Sequence, residues 1–300
     1  MRSKFLLRLS MIDKLQRFLF SPASPWSLCA VRLIFLSGFI YTLWYYGFIF
    51  EFDATQCGEV WLPVSYFKLL DGPICLTAQQ AWLLSLCWKV FLVLGLVGLF
   101  TSFSLKMAFF LSLLVIPFHF NFGKIDHNSH FPVILLGILA FSRCGDFLSF
   151  DWLLAKRWGK IPSSVPSAVY SWPLQFAKIY VVAMYLSSGL QKLRHSGLHW
   201  FDPANMQVLL LTRPTLTPLG FEVALHPLLA QLSACAIIVV QVGAPIALLN
   251  PVLAVIFGSS FVLFHCMSYW LMGLHGDFFS YVWALSIWLP VNEMVKKIRS

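Results

Sequence analysis

"VLAVIFGSSFVLFHCMSYWLM" (Val252–Met272) contains no Asp, Glu, Lys or Arg, and its one histidine, His265, lies about two turns from its end. A helix that crosses a bilayer needs about 20 predominantly apolar residues. This stretch has that length, and the rest of the chain agrees with it. Of the 300 residues, 59% are apolar and 11% are charged. The mean hydropathy is +0.78. A soluble domain carries about 25% charged residues, so the composition belongs to the membrane class.

Working outward, the same criterion predicts an all-α, polytopic transmembrane helical bundle of about eight spans. They are Ser27–Phe50, Gln80–Phe100, Leu105–Phe120, Phe131–Phe147, Val169–Leu190, Leu228–Leu249, Val252–Met272 and Phe278–Val295. Residues 1–24 precede them as an N-terminal segment. "FLLRLSMIDKLQRFLF" (Phe5–Phe20) is amphipathic, with Leu9, Ile12, Leu15 and Leu19 on one stripe, and reads as an interfacial helix. "SPASP" then breaks it, and Pro25 suits a first helical turn. Residues 25–295 form the transmembrane domain. No loop is long enough for a separate soluble domain, and no internal repeat is visible.

The formal charge of +9 follows the membrane. With the N-terminus inside, twelve cations fall on inner segments: Arg2, Lys4, Arg8, Lys14, Arg17, Lys106, Lys156, Arg157, Lys160, Lys296, Lys297 and Arg299. Five fall outside: Lys68, Lys124, Lys192, Arg194 and Arg213. The positive-inside rule therefore predicts that both termini are cytoplasmic, in the inner membrane if the source is bacterial. Nothing in this pattern suggests nucleic acid. Cys57 and Cys75 share the first outer loop and are a candidate disulfide in an oxidising compartment. No Cys/His spacing resembles a metal site, and no nucleotide-binding motif is present.

All eight histidines fall in the outer half of this topology: His119, His127, His130, His195, His199, His226, His265 and His275. Most sit at span ends or in polar turns, where solvation or capping accounts for them. His265 lies inside an apolar run, and a polar side chain in hydrocarbon is a functional candidate by default. Lys192 ends the fifth span in "YLSSGLQKLRHSGLHW" (Tyr185–Trp200). It reads either as a lysine snorkelling to the headgroups or as a desolvated amine able to act as a base. Lys89 lies deeper, in the middle of the second span, and requires a partner; Gln241 is one candidate. Arg32 and Lys178 lie nearer inner ends and can snorkel, and Arg143 can do so beside Asp146.

Several blocks resemble the horizontally transferred transmembrane (HTTM) family, best known from vitamin K-dependent gamma-carboxylase. "YLSSGLQKL" followed by Trp200 is similar to its tyrosine, glycine, lysine–leucine and tryptophan pattern. "FHCM" (Phe264–Met267) with "FSYV" (Phe279–Val282) resembles a second block, and "HNSHFPVILLGILAFSRCGDFLSFD" (His127–Asp151) a third. "VRLIF" (Val31–Phe35) fits the first helix. The resemblance implies that Lys192 is a catalytic base deprotonating a reduced quinone such as vitamin K hydroquinone. It implies that His265 is a functional histidine, that His127 or His130 is another, and that Trp200 lies at the cofactor. Two features differ from the carboxylase. Its lysine pair is Gln191–Lys192 here, and its large lumenal region has no counterpart in these residues.

Two functional expectations follow. One is a quinol-dependent, carboxylase-like or peptide-modifying membrane enzyme that acts on a peptide substrate with a partner subunit. The other is a non-catalytic membrane module binding a quinone, a lipid or a partner protein. A transporter fits less well, because the halves show no paired broken helices.

Overall fold

The computed structural model describes residues 13, 15–56, 61–122, 129–160, 165–274 and 280–291. Among these the chain is helical without a strand, apart from an isolated bridge between Ala23 and Ser167. It divides into two compact units, the first running to Gln175 and the second comprising Phe176–Pro290.

In the first unit, α1 (Pro25–Leu43) starts at the Ser24 cap with Pro25 in its first turn. At Trp44 it gives way to α2 (Tyr45–Asp53). Helix α3 (Ala78–Val97) opens on a capping box in which Thr77 and Gln80 satisfy each other's backbone N–H groups. It ends at Gly98, whose φ of 75° is the left-handed conformation that glycine adopts without a Cβ penalty. The chain then reverses into α4 (Thr101–Phe118), which continues as a 3-10 turn to Phe122. The buried Trp88 indole donates to Ser112 across this hairpin at 2.8 Å. Helices α5 (His130–Ala140) and α6 (Phe150–Arg157) follow.

Helix α7 (Ala168–Ser196) carries the chain into the second unit. There follow α8 (Pro203–Leu211), α9 (Pro218–Leu225), α10 (Pro227–Val242), α11 (Pro251–Met272) and the short α12 (Ser280–Ala284). Asn250 caps α11 by accepting from Leu253 N–H at 2.9 Å. Met206, Leu210, Ala224, Ala230, Ala234 and Leu271 form a core that ties α8, α9, α10 and α11 together.

Among the described residues, four helices are long and apolar enough to cross a membrane: Pro25–Leu43, Ala78–Val97, Thr101–Phe122 and Pro251–Met272. A fifth is added if α9 and α10, bent by 104° at His226, count as one span. The apolar run Phe131–Phe147 forms only an 11-residue helix, because the chain turns after Ala140. Residues 169–190 are helical, but Ser171, Gln175, Lys178, Ser187 and Ser188 dilute their hydropathy. Beyond Val242 the sixth run tightens into a 3-10 turn at Ala244–Leu248, which contains Pro245. Of the predicted interfacial helix, Leu15–Phe20 are helical, and residues 1–12 and 14 lie outside the described set.

Candidate functional site

The second unit brings Lys192 and His265 onto a common frame through Tyr185. In α7, Tyr185, Ser188, Gly189 and Lys192 are spaced i, i+3, i+4 and i+7, which places them on one face. At 1.5 Å per residue, Tyr185 and Lys192 are ~10 Å apart along the helix. Tyr185 Oη lies 2.9 Å from His265 Nε2 of α11 in a buried hydrogen bond. His265 is only 3% exposed. Its ring stacks on Tyr281 at 5.0 Å and meets Phe264 edge-on at 5.3 Å. On its other side Tyr185 stacks on Phe261 at 4.2 Å. An imidazole in an apolar helix is thus held by a phenol and aromatic walls.

Lys192 stands at the opposite end of that face, beyond the predicted span. It is half-buried. Its Nζ donates to Ser188 Oγ at 2.8 Å and lies 5.5 Å from the centre of the Trp200 ring. Among the described residues no carboxylate pairs with it. Burial lowers its pKa below the ordinary lysine value, because desolvation penalises the ammonium form. Trp200 is fixed by its own indole, which donates to the Ala234 carbonyl of α10 at 3.3 Å.

Between the two ends, α7 approaches α10. A Cβ on Gly189 would come within 2.9 Å of both Gln241 Cβ and Val242 Cγ2. Only a residue without a side chain permits this contact. Gln241 is 3% exposed, and its Oε1 has no hydrogen-bond partner among the described residues. Ala234 and Gln241 are seven residues apart, so α10 offers one face to both Trp200 and Gly189. The arrangement combines a half-buried amine, a buried amide acceptor, an imidazole–phenol pair and aromatic surfaces.

The remaining sequence candidates fall elsewhere. His130 opens α5 of the first unit and is exposed. His127 and Cys57 lie outside the described residues. Cys75 is disulfide-bonded, while Cys29, Cys87, Cys144, Cys235 and Cys266 are free thiols. His195 and His226 donate to the carbonyls of Gln191 and Glu222, each one turn back. His119 pairs with Asp53 at 2.7 Å. The partner of Lys89 is Glu51 at 3.4 Å, not Gln241. The amine also lies 3.9 Å from the Phe48 ring centre. Arg32 does not snorkel. It is fully buried and donates to the Leu148 carbonyl at 2.5 Å. Arg143 pairs with Asp146 at 2.8 Å.

Sequence reasoning missed Tyr185, Ser188 and Tyr281 as site residues. The signal for the first two was their helical spacing from Lys192. Tyr281 stood only within the quoted "FSYV" block, and its contact with His265 is long-range. Compared with known families, with curated proteins and with solved structures, the chain matches none.

Proposed function

We propose that the protein is an integral membrane protein whose second unit binds a reduced quinone, with Lys192 as proton acceptor and His265 as a headgroup contact. The observation that carries this reading is the half-buried Lys192 amine, which pairs with no carboxylate among the described residues, on the same α7 face as the Tyr185–His265 pair. The residues fit such a group. A planar, weakly acidic ring needs aromatic surfaces, a basic nitrogen near its hydroxyl and a second polar contact for its other oxygen. Trp200, Phe264 and Tyr281 provide surfaces, and Lys192 and His265 provide the nitrogens. When bound, a quinol supplies an acidic hydroxyl and two reducing electrons. Lys192, whose pKa burial lowers, takes the hydroxyl proton in its neutral form, and Ser188 keeps the resulting ammonium in place. His265, oriented by Tyr185, holds the second oxygen.

The downstream reaction is carboxylase-like or another peptide modification with a partner subunit. The resemblance of Lys192, Trp200 and His265 to the HTTM blocks supports this assignment. Under the same reading the chain crosses the membrane eight times with both termini cytoplasmic. A second reading, a non-catalytic module for a quinone, lipid or partner protein, has one observation in its favour. Lys192 already donates to Ser188 and lies over Trp200, as a snorkelling lysine would.

The test is mass spectrometry of small molecules that co-purify with the full-length chain, followed by quinol binding and turnover for Lys192→Met and His265→Ala. A bound quinone with turnover lost in Lys192→Met supports the enzyme. A bound quinone with no turnover by the unaltered protein leaves the binding module. Absence of quinone binding by the unaltered protein removes the quinol reading.

A further inference from the structure

Helix α6 of the first unit is amphipathic in an inverted sense. None of its residues is buried. Asp151, Trp152 and Ala155 are partly covered, and Asp151 fixes this side. Its carboxylate accepts from Phe100 N–H at 2.8 Å, Thr101 N–H at 2.6 Å and the Thr101 hydroxyl at 2.7 Å. Its own N–H donates to the Gly98 carbonyl at 3.0 Å. Phe150, Leu153 and Leu154 of the helix and Trp158 at its C-cap are all exposed, with Trp158 at 71%. Their i, i+3, i+4, i+8 spacing gathers them on one arc. A water-facing helix would show the reverse distribution.

The anchor sets the depth of this arc. Gly98–Phe100 is the turn between α3 and α4, and both helices are long and apolar enough to span. The turn between two spans lies at a membrane edge, so a helix tied to it lies at headgroup level. The charges match that level. Lys156, Arg157 and Lys160 are exposed at the C-terminal end of α6. The helix dipole favours cations there but does not explain the apolar arc beside them. Apolar side chains next to a basic cluster are the pattern of an interfacial helix on an anionic surface.

We propose that α6 lays Phe150, Leu153, Leu154 and Trp158 into the acyl boundary and presents Lys156, Arg157 and Lys160 to anionic phospholipid headgroups. This inference is independent of the quinol site. It depends only on α3 and α4 crossing the bilayer.

Native mass spectrometry of the full-length protein with equimolar phosphatidylglycerol and phosphatidylcholine tests the headgroup choice. The unaltered protein is expected to retain phosphatidylglycerol in preference, and K156Q/R157Q/K160Q to lose on the order of tenfold of that preference. K68Q/R213Q, at predicted outer loops, is expected to keep it. Equal retention of the two lipids by the unaltered protein overturns the proposal, as does an undiminished preference in the triple variant. Hydroxyl-radical oxidation in phosphatidylglycerol nanodiscs tests the apolar arc. Protection of Trp158 is expected. Its full oxidation there would overturn the membrane assignment and give this face to a protein partner.

Discussion

Lys192 is the residue at which local physics makes the sharpest demand. The folded chain lowers its pKa, so the folded state binds fewer protons than the unfolded state between the lowered value and the ordinary lysine value of 10.5. Stability from this group therefore rises with pH across that window. The cost of the buried ammonium is fully present below it and gone above it. For reactivity the sign is the same: a neutral amine appears at a lower pH than for a free lysine. Competitive acetylation with peptide mass spectrometry is expected to show half-labelling of Lys192 below pH 10.5. Labelling that follows an ordinary lysine would remove the case for a base. Lys89 makes the opposite demand, since it is 8% exposed and ion-paired. Glu51→Gln strands its charge in a span and is expected to destabilise the protein by about 1–3 kcal/mol in thermal unfolding. Adding Lys89→Met is expected to restore most of that loss, because both charges are then gone. If the double variant unfolds no later than the single one, the pair is not what the single change broke. Lys192 and His265 were legible in the sequence because ionisable groups stand out in apolar runs. Tyr185 stood out only as the tyrosine of a family-like pattern, because a phenol in such a run reads as packing until its partner is known. The partner of Lys89 failed for a related reason. Glu51 lies 38 positions away, and hydropathy carries no pairing information.

At the scale of elements, runs of apolar residues were easier to read than helix ends. Val252–Met272 and the α3 run match the observed helices closely, because caps flank them: Asn250, Gly273, Thr77 and Gly98. The run Phe131–Phe147 has no such agreement. Its helix stops at Ala140, and the Ser142 hydroxyl and Cys144 thiol both turn back onto the Leu139 carbonyl, at 2.9 and 3.4 Å. Such side-chain competition with the backbone ends a helix without changing its hydropathy. Helix α4 shows the converse. Its N-cap position is Phe100, which has no capping side chain, and the cap comes from Asp151 at a distance. Asp151→Ala is expected to lower stability by about 1–2 kcal/mol, the usual scale for a lost cap, read as a fall in the melting temperature in detergent. Ser149 caps α6 itself by accepting from Trp152 N–H. Its loss is therefore expected to loosen α6 with less effect on α4, and hydrogen exchange of the first α4 turn separates the two. Protection of Thr101 unchanged in Asp151→Ala would show that this carboxylate does not hold the hairpin.

For the molecule as a whole, the number of crossings and the side of each loop are coupled. Four spans or eight place the termini on the same side, and a fifth from the bent α9–α10 pair places them on opposite sides. Charge bears on the choice, because lysine and arginine near span ends resist transfer outward. Under the proposed eight crossings, twelve cations against five put both termini inside, with Lys160 inside and Arg213 outside. The disulfide at Cys75 gives an independent sign. Stable disulfides belong to oxidising compartments, which agrees with the outer side proposed for its loop. The expected partner is Cys57, and a non-reduced digest should yield the linked peptide; two free thiols in protein purified without reductant would count against the pairing. The side of each loop is then open to direct measurement. In intact cells or sealed vesicles, an impermeant thiol reagent added from outside is expected to label Arg213→Cys and to spare Lys160→Cys until the membrane is opened. Labelling of both from outside would mean an odd number of crossings between 160 and 213 does not exist, and α7 would then be a helix that enters the membrane without traversing it. Labelling of Lys160→Cys alone would reverse the orientation and place Lys192, with any quinol chemistry, on the cytoplasmic side.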